Sequence, residues 1–145
     1  MEKERDSFRV GVNVFCVRDG KLLLGERIGD AWPDGNGWSL PGGHLERNES
    51  MRDRARTELK EEAGLLVQEL EFVGLHNNTR GNVHYIQIGF LGHDVEGDPV
   101  VKEPDLCRGW KWFLLNELPD HIFIGHRGLV KAFLEKRYFL DGETF

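Results

Sequence analysis

The chain has 145 residues, the common size of one domain, with 39% apolar and 30% charged residues interspersed along it. Extended disorder is excluded and one core is expected, so 1–145 reads as a single domain with loosely ordered ends at 1–6 and 139–145. A formal charge of −6 argues against binding a nucleic-acid polymer or an anionic membrane, because both draw on a basic surface.

In chain order, residues 8–17 are rich in Val and Phe and read as a strand. Asp19-Gly20 is a hairpin turn before a second strand over 21–28. Residues 30–37 hold Pro33, Gly35 and Gly37 and read as a loop. A strand fragment over 38–41 is broken by Gly42-Gly43, a pair that permits unusual backbone angles. A helix follows, opened by Ser50 with Asp53 three residues on in a capping-box arrangement, and closed by Gly64. Further strands are expected over 65–75, 82–91 and 109–115. Leu129, Val130, Phe133 and Leu134 carry helical spacing within 128–137. This order of strands, helix, strands, helix favours an α+β or α/β/α layered domain.

Cys16 and Cys107 lack C-x-x-C spacing and suggest neither a disulfide framework nor a zinc site. Residues 1–6 are charged where a leader would be apolar, and no run approaches the ~18 apolar residues of a membrane span. A cytoplasmic location is the expectation.

The first helix carries the chemistry. At about 100° per residue, Met51, Ala55, Leu59 and Ala63 form an apolar stripe that must face the core. Glu58, Glu61 and Glu62 stand at i, i+3 and i+4, so their carboxylates share a face and repel. Glu62 falls inside the edge of the stripe, where shielding from water makes repulsion more costly. All three lie near the negative end of the helix dipole. Hard oxygen ligands under two unfavourable terms suit Mg²⁺ or Mn²⁺, with waters and phosphate completing the coordination. Read alone, the same residues also fit a solvated acidic face with Arg54 and Lys60 as ordinary ion-pair partners.

From Gly43 the segment GHLERNESMRDRARTELKEEAGL resembles the Nudix box, G-x5-E-x7-R-E-U-x-E-E-x-G-U, with U a bulky aliphatic residue. Gly43, Glu49, Glu58, Leu59, Glu61, Glu62, Gly64 and Leu65 match at the required spacing. The box arginine falls at Thr57, a departure for which Arg54, one turn before Glu58, is the candidate substitute cation. LLLGERIG, WSLPGGHLE and GWKWFLLNELP are similar to the MutT-like branch of the family. GGHLE together with VHYIQIGF is similar to members that hydrolyse nucleoside triphosphates, oxidised ones included. The resemblance spans residues 8–133.

The resemblance implies the Nudix fold, a mixed sheet between helices with the box as a loop-helix-loop. It also implies Mg²⁺-dependent phosphoryl transfer to water, in which positioning and charge neutralisation dominate. Carried over by position, Glu58, Glu61, Glu62 and the Gly42 carbonyl are metal ligands, and Glu103 is a further acidic ligand. Glycine at 42 would let metal and phosphate approach the backbone. Glu58 is the first candidate for the base and Glu61 the next, with Glu49 orienting carboxylates or water, or serving as a first-turn acid. Arg27 corresponds to an arginine that meets substrate phosphate. His44 and Trp38 flank the glycine pair and are candidates to line the substrate pocket, Trp38 by stacking on a base. Trp112 reads as core, and the remaining histidines show no ligand spacing.

The expected reaction cleaves a small nucleoside triphosphate to the monophosphate and pyrophosphate. The short chain, without an N-terminal swapping domain, favours that over ADP-ribose or another nucleoside diphosphate derivative. A third reading, from Thr57, is a catalytically weakened nucleotide-binding module. Many relatives being dimers, a homodimer is a further expectation.

Overall fold

The computed structural model describes residues 7–28, 36–79 and 84–142. The loop expected over 30–37 lies outside them up to residue 35, as does the strand start expected at Asn82.

Strands β1 (Arg9–Arg18) and β2 (Lys21–Arg27) form the expected hairpin. Its turn residues Asp19 and Gly20 have φ of 53° and 74°, the paired left-handed backbone that a tight two-residue turn requires. Two short strands follow, β3 (Gly37–Ser39) and β4 (Gly42–His44), and then helix α1 (Met51–Ala63). The rest of the chain is β5 (Glu69–Asn78), β6 (Tyr85–His93), β7 (Cys107–Leu114), α2 (Ile124–Leu134) and β8 (Phe139–Asp141).

The glycine pair corrects the sequence reading. Gly42 and Gly43 are strand residues paired with Asn13 and Val12 of β1, and neither adopts a positive φ. What they require is the missing Cβ: at Gly42 it would collide with the Val12 carbonyl, and at Gly43 it would lie 2.5 Å from Cδ of Glu58.

β1 organises a mixed sheet. On one edge it runs parallel to β6, and on the other it pairs antiparallel with β4 along residues 11–13 and with β2 beside the turn. β5 joins β6 antiparallel and β8 parallel, while β2 also carries β3 and β7. Alternation along β1 feeds two cores. Val12, Val14 and Cys16 pack with Ala55, Leu59 and Ala63 of α1, whereas Phe15 packs with Leu129 and Val130 of α2. A helix therefore covers each face, the expected α/β/α arrangement.

α1 begins and ends where its caps dictate. The Ser50 side chain accepts from the Asp53 N–H at 3.0 Å, and Gly64 closes the helix at φ 70°, a left-handed cap that favours glycine. Ala55, Leu59 and Ala63 are fully buried, but Met51 is exposed. A spacing of four overshoots the helical repeat by about 40° per step, so four such residues cannot all face one core.

α2 starts four residues earlier than its apolar spacing suggests, at Ile124. No side chain caps it; the start is set by Phe123, whose N–H donates to the Trp38 carbonyl at 2.9 Å. At the other end the N–H groups of Lys136 and Arg137 return to the carbonyls of Phe133 and Ala132, with Lys136 at φ 58°, a Schellman closure. That turn delivers β8 onto β5, so residues 139–141 are an edge strand and not the loose tail expected of them. Leu140 of β8 is fully buried. Among the described residues no helix is long and apolar enough to cross a membrane.

If β8 seals the sheet edge, Leu140→Ala will cost about 2–5 kcal/mol, the range for a buried leucine. Urea unfolding should show this as a lower midpoint at unchanged slope; a loss under about 0.5 kcal/mol would mean the strand is dispensable.

Candidate active site

α1 presents its last turns to the backbone of β4. The Gly42 N–H donates to Oε2 of Glu62 at 3.1 Å, and Glu58, 7% exposed, occupies the space left open beside Gly43. In extended backbone the carbonyl of a residue faces the same edge as its N–H, so the Gly42 carbonyl points toward the Glu62 side. Glu58 and Glu62 are hydrogen-bonded to each other. Burial pushes the Glu62 carboxyl up to about 8, opposed by the Gly42 N–H and reinforced by the charges of Glu58 and Glu103. Burial also raises Glu58, with Arg54 pulling the other way.

Thr57 is exposed and takes no part in this cluster. The guanidinium of Arg54 instead forms an ion pair with Glu58 one helical turn on, and its Nε lies 3.6 Å from Oε1 of Glu49. The Nε is buried and has no hydrogen-bond partner among the described residues. Glu49 in turn accepts the Glu46 N–H at 2.6 Å. Glu49 thus holds Arg54, and Arg54 holds Glu58. Glu49 is not on the cleft wall and reaches the cluster through Arg54.

The carboxylates open onto a cleft of about 860 Å³. Glu58, Glu61, Glu62 and Glu103 all line it, together with Arg54, Arg27 and His44. Glu103 is near enough to raise both Glu58 and Glu62, and Glu96, Asp98 and Asp105 are not on the cleft wall. Arg27 stacks 4.3 Å above the Phe123 ring, which holds it over the cleft. His44 bonds the Tyr85 hydroxyl at 2.8 Å. The expected convergence of three acids is corrected in one respect. Glu58 and Glu62 form the tight pair, Glu61 is solvent-exposed, and no group of three His, Cys, Asp or Glu residues among those described is gathered as a ready metal cage. Like charges that lack a counterion spread toward water wherever the backbone allows it.

Trp38, like Glu49, is a candidate that lies off the cleft wall. It packs in the α2-side core, edge-on to Phe113 at 4.9 Å. Trp110 lines the cleft in its place, stacked on Gly25, with its Nε1 buried and without a partner among the described residues. Trp112 belongs to the α1-side core, as its sequence context suggests.

Sequence reasoning missed Asn13, Gln87 and His126, all buried and all on the cleft wall. Asn13 Nδ2 donates to Gln87 Oε1 at 2.8 Å and to the Ile88 carbonyl at 3.2 Å. His126 Nδ1 accepts the Leu40 N–H at 3.1 Å. The available signal was a lone polar residue inside each apolar strand, Asn13 between valines and Gln87 between isoleucines. Alternation alone reads such positions as solvent-facing.

The donor set fits a hard divalent cation: a buried and a half-buried carboxylate, a backbone carbonyl on the same edge, and two further acids on the cleft wall. A carboxyl held near 8 by burial is the kind of group whose charged form a cation would favour.

Such a site, on a mixed sheet between two helices, suits a hydrolase of phosphoric anhydrides. A NUDIX domain model matches residues 7–133, and the chain belongs to the Nudix hydrolase family of pyrophosphohydrolases. It is 31% identical over 122 residues to an RNA pyrophosphohydrolase of a Marinomonas species, covering 81% of this chain and 66% of that protein. It is 30% identical over 129 residues to an ADP-ribose pyrophosphatase of Methanocaldococcus jannaschii, covering 86% and 72%. The crystal structure of a MutT NUDIX hydrolase from Burkholderia pseudomallei superposes with a TM-score of 0.78 at 28% identity, covering 90% of this chain and 98% of that one.

Three expectations follow. Gly43→Ala will displace the Glu58 carboxylate and reduce turnover far more than it lowers the melting temperature. If Arg54 replaces the box arginine, Arg54→Ala will weaken divalent-ion affinity by about 10–100-fold; titration calorimetry with Mn²⁺ decides, and an unchanged affinity would remove Arg54 from that role. His126 is held neutral by burial and by Arg27, its pKa lowered to about 3 from 6.5. The unfolded chain therefore binds a proton that the native state refuses, and this contribution to stability is complete above about pH 6.5 and is lost as pH falls toward 3. His126→Gln should flatten that part of the stability profile in urea melts run across the window.

Proposed function

We infer that the protein hydrolyses a nucleoside triphosphate to the monophosphate and pyrophosphate with the help of Mg²⁺. The observation that carries this reading is the Glu58–Glu62 pair packed on the Gly42 edge, opening onto a cleft that also holds Arg27. Glu58, Glu62 and the Gly42 carbonyl would hold the ion, with Glu61 and Glu103 completing the acidic wall. When bound, the ion neutralises phosphate charge and lets an anionic substrate approach this acidic surface.

The remaining roles belong to the chain's own groups. Arg27, fixed over Phe123, forks onto phosphate oxygens and orients the chain of phosphates. A water attacks one phosphorus, the bond to the leaving phosphate oxygen breaks, and a carboxylate accepts the proton of the water. Glu61 is the better placed acceptor, being exposed on the cleft wall, while Glu58 is committed to Arg54 and Glu62. This reverses the order expected from the sequence. Trp110 offers an unpaired indole N–H to a substrate oxygen. The polar, uncharged half of the cleft around Asn13, Gln87 and His126 accommodates the nucleoside.

The relatives named for RNA ends and for ADP-ribose supply the two competing substrates. Incubation with Mg²⁺ and a panel of nucleoside triphosphates, ADP-ribose and a 5′-triphosphorylated RNA, with products resolved by ion exchange, separates them. Monophosphate and pyrophosphate from the free triphosphates are expected, with loss of turnover on chelation and recovery on adding Mg²⁺. Efficient cleavage of ADP-ribose or of RNA ends alone would overturn the assignment. Glu61→Gln is expected to lower kcat by about 10²–10⁴-fold, the range for loss of a general base, with little change in KM.

A further inference from the structure

We propose that His126, which packs on the face of the sheet opposite α1, is a positioning residue for the metal edge: by accepting the Leu40 N–H it fixes the corner of backbone that carries Gly42 to the carboxylates. The inference rests on the reading above that the Gly42 carbonyl helps to hold a divalent ion, and it adds the residue that sets where that carbonyl stands.

The corner arises because the chain changes partners. Ser39 still pairs with Gly25 of β2, whereas Gly42 pairs with Asn13 of β1. Leu40 and Pro41 make the crossing between them, and both are buried. Proline has no N–H and holds the residue before it extended. The crossing therefore carries one backbone donor, on Leu40, with no strand to receive it. A buried N–H left unpaired is costly. Nδ1 of His126 accepts it at 3.1 Å. A backbone N–H only donates, so Nδ1 carries the lone pair of the ring. Burial, with Arg27 adding to it, lowers the pKa of this histidine to about 3 and keeps that lone pair available.

The other groups of the corner are tied from different directions. The Pro41 carbonyl accepts the Val14 N–H at 2.9 Å, and the Gly42 N–H donates to Glu62. Asn13 lies beneath Gly42, its Oδ1 2.6 Å from where a Cβ would stand, and its Nδ2 bonds Gln87 and the Ile88 carbonyl. The bonds to β1 hold the corner within the sheet. The bond to His126 ties it to the α2 layer. Without that bond the Leu40 N–H must turn toward another acceptor or water, and the backbone two residues on moves with it.

The same stretch of chain holds Arg27. Residues 121–123, which lead into α2, clamp β3: the Trp38 N–H donates to the His121 carbonyl and the Phe123 N–H to the Trp38 carbonyl, both at 2.9 Å. Gly37 lets them approach, since a Cβ there would lie 2.9 Å from the Phe123 nitrogen. Arg127 Nε donates to the Ile122 carbonyl at 2.7 Å and joins this lead-in to the helix. Arg27 stacks on Phe123. Residues 121–127 thus set both the Gly42 corner and the arginine assigned to phosphate, from the side of the sheet that carries no carboxylate of the cluster.

The test separates the acceptor from the packing. His126→Leu fills similar space without an acceptor, and His126→Asn keeps an acceptor near the place of Nδ1 in a smaller side chain. Titration calorimetry with Mn²⁺, without nucleotide, should give an affinity about 10–100-fold weaker in His126→Leu, the range for a residue that orients a metal ligand. His126→Asn should stay near the wild-type value. Packing alone predicts the reverse order, so an unchanged affinity in His126→Leu, or an equal loss in both variants, would overturn the proposal. Should His126→Leu not fold, the wild-type protein decides. Saturating Mg²⁺ is expected to shift the nitrogen NMR resonances of the Leu40 amide and of His126 Nδ1, because coupling between the tether and the ion is reciprocal. Resonances that stay in place at saturation would overturn the proposal. Failure of Mn²⁺ to bind the wild-type protein would overturn the metal reading and this inference with it, whereas normal binding that ignores the acceptor sinks this inference alone.

Discussion

Two carboxylic acids pressed against a strand backbone are the constraint on which the rest depends. Glu58 and Glu62 lie where α1 meets β4, close enough to share a hydrogen bond, and Glu62 is tied to the Gly42 N–H. Burial of two acids is unfavourable by itself, and the fold offsets it with a backbone donor, an arginine and a retained proton. Each of these is a contact that a bound cation can replace or reinforce. The same constraint accounts for glycine at position 43, since the space that a Cβ would take is occupied by the Glu58 side chain.

The compensation at Thr57 follows from helix geometry. A cation next to an acid in sequence points about 100° away around the helix, whereas one four residues earlier stands directly beside it. Arg54 uses that second route to reach Glu58, and Glu49 secures it from the other side. The departure from the box therefore relocates a positive charge and does not remove it. The weakened-module reading loses its main support, because its premise was an acidic cluster without a cation to order it.

β1 separates two surfaces of different chemistry. One face of this strand supports the acidic wall and the other supports a set of neutral amides and an uncharged imidazole. The neutrality of His126 has a physical origin in full burial and the proximity of Arg27. Arg27 lies on the cleft wall close enough to His126 to disfavour a second positive charge there.

Much of this molecule was legible in the sequence wherever the signal is local. Ser50 and Gly64 mark α1 because caps act on adjacent backbone groups, Asp19-Gly20 marks the hairpin for the same reason, and the three acids of α1 share a face because the helical repeat is fixed. What the sequence could not decide is whatever depends on which layer covers which face. Asn13 and Gln87 have the alternation of solvent-facing strand residues, and only α2 folding over that side makes them buried cleft residues. Trp38 sits beside the glycine pair in sequence but points into the α2-side core, while Trp110, from a distant strand, lines the cleft. Residues 139–141 look like a tail until a helix closure turns them onto β5. Periodicity specifies the direction of a side chain relative to its own element; its surroundings are set by contacts between residues far apart in the chain, and those exist only once the layers have packed.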